Sequence, residues 1–117
     1  MGIDFIPGDV HWSYRGFHEF RTRLAAEIGV NIMDMEGFTD YPNIAVSWNT
    51  IHDDIVPLLD HSDCEGELEP DVCAKVTPRL RELIVPWSND DYDKAHAIKL
   101  ANAMEKCARK GRPLLFI

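Results

Sequence analysis

Leu58-Leu59-Asp60-His61-Ser62-Asp63-Cys64-Glu65-Gly66-Glu67-Leu68-Glu69-Pro70-Asp71-Val72-Cys73 carries an apolar segment into a polar loop and out into a new amphipathic segment. The pattern predicts helix, loop, helix. Upstream, Asp53 and Asp54 precede Ile55-Val56-Pro57-Leu58-Leu59, which puts acidic residues where they complement a helix dipole and proline where a first turn tolerates it. A short helix ending near Asp60 follows from this. Downstream, Pro70 suits a first helical position, and Cys73, Val76, Leu80, Leu83 and Ile84 make one apolar stripe. Pro78 removes a backbone donor inside that stripe, so a kink is expected there, and Pro86 ends the element.

Toward the N-terminus, Ile3 to Ile6 predict a strand closed by Pro7-Gly8. Asp9-Val10-His11-Trp12-Ser13 then leads into a helix that Ser13 caps, with Phe17, Phe20, Leu24 and Ile28 inward, Arg21, Arg23 and Glu27 on the other side, and Gly29 as the stop. From Val30 to Trp48 periodicity is weak: Ile32, Met33 and Met35 suit a helical turn, Gly37, Pro42 and Asn43 punctuate a loop, and Ile44 to Trp48 is a short strand or extended chain. Toward the C-terminus, Ser88 with Asp91 three residues on resembles a capping box. It opens a long helix through Tyr92, Ala97, Leu100, Ala101, Met104, Cys107 and Ala108, closed by Gly111 with Arg109 and Lys110 on its last turn. Pro113-Leu114-Leu115-Phe116-Ile117 is too apolar for a solvated tail and is expected to pair with the opening strand or dock in the core. The fold class is therefore α+β: a mainly helical single domain over residues 1–117, with a small sheet pairing the N- and C-terminal strands and a central helix-loop-helix like that of an EF-hand.

At 117 residues, 45% hydrophobic and 27% charged, the chain has the make-up of one globular core rather than a disordered or fibrous protein. It opens without the basic start and long apolar run of a signal peptide, and no apolar stretch approaches membrane-spanning length. The expectation is a soluble, cytoplasmic protein without a membrane partner. Cys64, Cys73 and Cys107 include no Cys-x-x-Cys pair and fit reduced thiols in a cytosol better than a disulfide framework.

The net charge of -8 is unevenly spread. No Lys or Arg lies between Arg23 and Lys75, where Glu27, Asp34, Glu36, Asp40, Asp53, Asp54, Asp60, Asp63, Glu65, Glu67, Glu69 and Asp71 all fall; from Lys75 onward cations outnumber acids. An anionic middle suits a cation or a basic protein surface and disfavours direct nucleic-acid binding, which rests on phosphate neutralisation.

The central loop aligns with a calcium-binding loop when Gly66 takes the sharp-turn sixth position. His61, Asp63, Glu65, the Glu67 carbonyl and Glu69 then take the first, third, fifth, seventh and ninth positions, and Leu68 the apolar eighth. Val72 stands where a bidentate glutamate belongs and His61 replaces the usual first aspartate, so the favoured reading is loop geometry without the ion: Gly66 turns, Leu68 enters the core, the acids are solvated. A zinc-type set would draw on His61, Asp63 and Cys64 with a remote histidine, although the spacing is not a recognised zinc pattern. The remote partner would come from the cluster Asp9-x-His11 with His18 and Glu19, provided the first helix packs on the loop; such a site activates water. Cys64 is the one cysteine expected in a loop, but the surrounding carboxylates raise a thiol pKa and oppose a reactive thiolate. No Gly-x-Ser-x-Gly elbow, phosphate-cradling loop or dinucleotide fingerprint occurs, and no catalytic residue is assigned. Trp12, Trp48 and Trp87 are expected in the core.

His11-Trp12-Ser13-Tyr14-Arg15-Gly16-Phe17, His61-Ser62-Asp63-Cys64-Glu65-Gly66-Glu67-Leu68 and Pro78-Arg79-Leu80-Arg81-Glu82-Leu83 together resemble a family of small proteins, without assigned function, from actinobacteria and their phages. The resemblance covers nearly the whole chain. It implies a cytoplasmic bacterial or phage setting and supplies no activity.

The sequence supports two function classes. The first is a non-enzymatic acidic binding or regulatory protein, such as a phage-type inhibitor, whose Asp53, Asp54, Asp60, Asp63, Glu65 and Glu67 meet a basic partner surface and which needs no cofactor. The second is a protein that binds a divalent metal ion of zinc or calcium type, with a metal-dependent hydrolase as its enzymatic form, through His61, Asp63, Glu65, Glu69, His11 and His18. The first is preferred, because it asks only for the charge segregation already visible.

Overall fold

The computed structural model describes residues 2–117. Its first element, β1 (Gly2–Ile6), alternates buried Ile3 and Phe5 with exposed Asp4 and Ile6, the period of a strand with one face on a core. A tight turn returns the chain into β2 (Val10–Ser13), paired antiparallel with β1 so that Ile3 faces Trp12 and Phe5 faces Val10. Gly8 belongs in that turn for two reasons: its φ of 114° is open to glycine, and a Cβ there would stand 2.7 Å from the Ala103 Cβ. The chain then enters α1 (Tyr14–Glu27), where the Ser13 hydroxyl accepts from the Gly16 amide.

A loop with three single 3₁₀ turns covers Ile32–Asp34, Pro42–Ile44 and Trp48–Thr50, and is pinned by a lone parallel bridge between Met35 and Val46. A one-turn helix, α2 (Val56–Leu59), leads through the central loop to β3 (Gly66–Leu68), then to α3 (Pro70–Leu83), α4 (Tyr92–Lys110) and β4 (Leu114–Phe116). The sheet order is β2-β1-β4-β3, antiparallel throughout. The fold class is the expected one, α+β with the N- and C-terminal strands paired, and the sheet is larger than expected by β2 and β3.

One face of the sheet, built from Ile3, Phe5, Val10, Trp12, Leu68, Leu114 and Phe116, is covered by the helices. Trp12 is central: it stacks on Phe20 at 4.5 Å, meets Phe5 edge-on at 5.9 Å, and donates its indole N–H to Asp93. Phe5 in turn meets Phe116 at 4.7 Å. Each such side chain contributes about 1.5–3 kcal/mol relative to leaving it exposed. Trp48, Trp87, Cys73 and Cys107 are also buried, as expected, whereas Cys64 is exposed.

Three local expectations are corrected. His11-Trp12-Ser13 does not merely approach a helix but forms β2. Ser88 does not open the last helix; Asp91 caps it, accepting from the Lys94 amide, because the chain needs Trp87 to Asp90 to turn before the helix starts. Arg21 lies on the inner side of α1 and is 3% exposed. α3 is, as expected, one element rather than two, running through Pro78 and ending at Leu83 shortly before Pro86.

Candidate functional site

The position of Arg21 organises a cleft of about 490 Å³ between α1, the segment around Glu36 and the central loop. Arg21 is four residues from Phe17 and three from Leu24, so the 3.6-residue period returns it to the buried stripe. Its guanidinium is held against the faces of Phe17 and Phe38, 4.4 and 5.1 Å from their centroids. Nη1 donates to the carbonyls of Leu59 and His61, closing the end of α2 onto α1. Burial pulls the Arg21 pKa down to about 10, against the opposing pull of Asp63 and Asp60. Its Nε is buried without a partner.

Three carboxylates stand around the cleft over this one cation: Glu36, Asp60 and Asp63. Glu36 is aimed by its own loop, since Oε1 accepts from the Trp48 amide at 3.1 Å and from the Ser47 hydroxyl at 3.4 Å. The Trp48 indole donates back to the Glu36 carbonyl, so a buried ring anchors the loop that presents the acid. Burial raises the Asp60 pKa above the usual aspartate value, the Glu36 charge raises it further, and Arg21 and His61 oppose both. His18 lies on the α1 side, its ring stacked near Phe38 at 6.1 Å.

The central loop has the turn of an ion loop with its interior occupied by its own histidine. Gly66 takes a φ of 110° and Leu68 is buried, as the alignment requires. His61, however, folds inward: its ring stacks on Phe116 at 3.7 Å, Nδ1 lies 3.0 Å from the Ser62 carbonyl and Nε2 3.0 Å from the Glu67 carbonyl. The Glu67 carbonyl, the seventh-position ligand of a calcium loop, is thereby engaged by His61, and residues 66–68 pair with β4. Asp63, Glu65, Glu67 and Glu69 are exposed around this turn.

The cleft brings together His18, His61 and Asp63 but not His11, which lies on β2 with Nδ1 2.9 Å from Asp4. Among the described residues, no three His, Cys, Asp or Glu side chains converge to hold a metal ion. Cys64 stays on the exposed tip, its Sγ 3.4 Å from the Ser62 hydroxyl. Asp53 is separate from the cleft and already paired, receiving Nε and Nη2 of Arg79 at 3.0 and 2.9 Å; that guanidinium holds its pKa below the usual value. Asp54 lines the same open depression beside Trp48 and His52. Glu36, Arg21 and Phe38 were not singled out by sequence. The helical period locates Arg21, and Glu36 falls within the cation-free stretch, but nothing in the weakly periodic loop marks Phe38.

No helix among the described residues is long and apolar enough to cross a membrane. Comparison with protein-family models, with curated proteins and with solved structures finds no match to this chain.

Proposed function

We propose that the protein is a non-enzymatic acidic binding protein, regulatory or inhibitory in role, that receives a basic side chain of a partner in the cleft between α1 and the central loop. The observation that carries this reading is the gathering of Glu36, Asp60 and Asp63 around one buried arginine. The carboxylates outnumber the cation three to one, and the raised pKa of Asp60 reflects burial together with a repulsion that an incoming Lys or Arg would relieve. A partly enclosed cleft also lets a charge pair form with less solvent screening than on an open surface. Asp54, Glu65 and Glu67 extend the anionic surface beyond the cleft, whereas Asp53 is engaged by Arg79. A bacterial or phage setting, implied by the family resemblance, suits such a role.

The test is titration with a hexalysine peptide, followed by amide chemical shifts. Saturable binding centred on residues 36–38 and 60–63 is expected. The triple variant Glu36→Gln, Asp60→Asn, Asp63→Asn should weaken it at least tenfold, while Glu27→Gln, Glu82→Gln, Asp90→Asn, which removes equal charge elsewhere, should change it less than twofold. Equal losses in both variants would overturn the cleft and leave only diffuse attraction. The second reading, a divalent ion, has in its support only that His18, His61 and Asp63 line one cleft, without converging on a common point. It is checked by metal analysis of protein purified without chelator and by melts with and without EDTA; bound metal with a melt lowered by EDTA would favour it.

A further inference from the structure

On the other side of the charge asymmetry, the β1–β2 turn, the last turns of α4 and the start of β4 enclose a groove of about 370 Å³. Its walls are Ile6, Pro7, Pro113 and Leu115, with Cys107 behind them. Ile6 and Leu115 are register partners on the sheet face away from the core, and they remain 42% and 38% exposed. The rim carries Lys106, Lys110 and Arg112 and no carboxylate. None of these three cations forms an ion pair among the described residues. The helix dipole accounts for Lys110 on the last turn of α4, but not for Lys106 a turn earlier or Arg112 beyond the helix end.

We propose that this groove binds an aliphatic carboxylate, with the hydrocarbon chain laid along Ile6, Pro113 and Leu115 and the carboxylate received by Lys110 and Arg112. The volume lies in the lower part of the range for small-molecule sites, about 300–1,000 Å³, which fits a single medium-length chain. Apolar walls supply affinity without direction, and an uncompensated cationic rim chooses the sign of the headgroup. The neighbouring acids do not cancel that rim: Glu105 is paired with Arg81, and Asp4, its carboxylate 2.9 Å from His11 Nδ1, does not line the groove. Glu67 stands across from Leu115 in the register, and Asp9 lies in the adjacent depression beyond Lys106; neither lines the groove. The inference is independent of the basic-partner reading, because it uses no residue of the acidic cleft.

Amide shifts on titration with octanoate, octylammonium, octanol and acetate test it, with all amphiphiles below their micelle concentrations. Octanoate should give saturable shifts confined to residues 6–8 and 106–115, with octylammonium and acetate at least tenfold weaker and octanol intermediate. Lys110→Glu with Arg112→Glu, both exposed side chains, should weaken octanoate at least tenfold; Lys110→Met with Arg112→Met should bring octanoate down to octanol. Equal binding of octanoate and octylammonium, shifts centred elsewhere, or indifference to the paired substitutions would overturn the proposal. Sedimentation with phosphatidylglycerol vesicles without any octanoate response would also overturn it, assigning the groove to a lipid surface instead.

Discussion

Gly66 makes the loop and β3 compatible. Its φ of 110° strains any L side chain, and a Cβ there would meet the His61 ring at 2.9 Å. Gly66→Ala should therefore lower unfolding free energy by about 1–3 kcal/mol in urea titrations, through backbone strain and displacement of the His61 ring together. Asp60 offers a test with a sign. Its pKa is raised in the folded protein, so the folded state holds the proton more tightly than the unfolded chain, and stability falls as pH rises from the unfolded value of 3.8 through the folded one. Asp60→Asn should raise Tm at pH 7, and the gain over the parent should vanish as pH is lowered through that range. Thermal melts from pH 3 to 7 check both parts. Arg21 shows how much of the cleft was legible: counting from Phe17 and Leu24 places it inward, but a charge on the buried stripe runs against the expectation that arginine is exposed. Its burial becomes explicable only with the carbonyls of Leu59 and His61, which lie some forty residues away along the chain. Glu36 carried no comparable local signal, because the Trp48 amide that aims it is reached across a loop with no periodicity.

At the level of elements, the N-terminus of α4 is the most economical test. Asp91 accepts from the Lys94 amide and from Arg23, whose guanidinium lies 3.8 Å above the Trp87 ring, so one carboxylate caps α4 and ties it to α1. Asp91→Ala should cost about 1–2 kcal/mol in chemical denaturation, and Ser88→Ala well under half as much. Arg23 lowers the Asp91 pKa, so this contribution is present above the unfolded value of 3.8 and is lost as pH falls through the lower folded value. Within α3, Pro78 is exposed and contributes no amide donor, and Pro78→Ala should stabilise the protein by about 1–3 kcal/mol in the same measurement. The long helices were legible because their apolar stripes repeat over several turns. β2 was not: its alternation of buried Val10 and Trp12 with exposed His11 and Ser13 lasts only four residues and ends at the helix cap. β3 was hidden for another reason, since Gly66-Glu67-Leu68 suits a turn in an ion loop as well as a strand, and only pairing with β4 decides between them.

Across the whole molecule, the net charge of -8 is concentrated in a cation-free middle, three of whose acids, Glu36, Asp60 and Asp63, line one cleft. Screening should relieve the repulsion among these acids: Tm should rise between about 10 mM and 300 mM sodium chloride, and rise less in the Glu36, Asp60, Asp63 triple variant. The segregation of charge was plain in the sequence. The meeting of those three acids at one cleft was not, because that depends on how α1, the Trp48 loop and the central loop meet. The sheet order has a consequence in time as well as in space. β4 lies between β1 and β3 and is the last strand of the described chain, so a chain emerging during synthesis has made both its neighbours before the strand that joins them exists. Until residues 114–116 arrive, β1 keeps an open edge, β3 has no sheet partner, and the faces of Phe5 and His61 that pack on Phe116 stay uncovered. Completion of this fold thus waits on residues 114–116, and any chain stopped short of them presents unpaired edge and aromatic surface, the features by which quality control distinguishes unfinished proteins from finished ones.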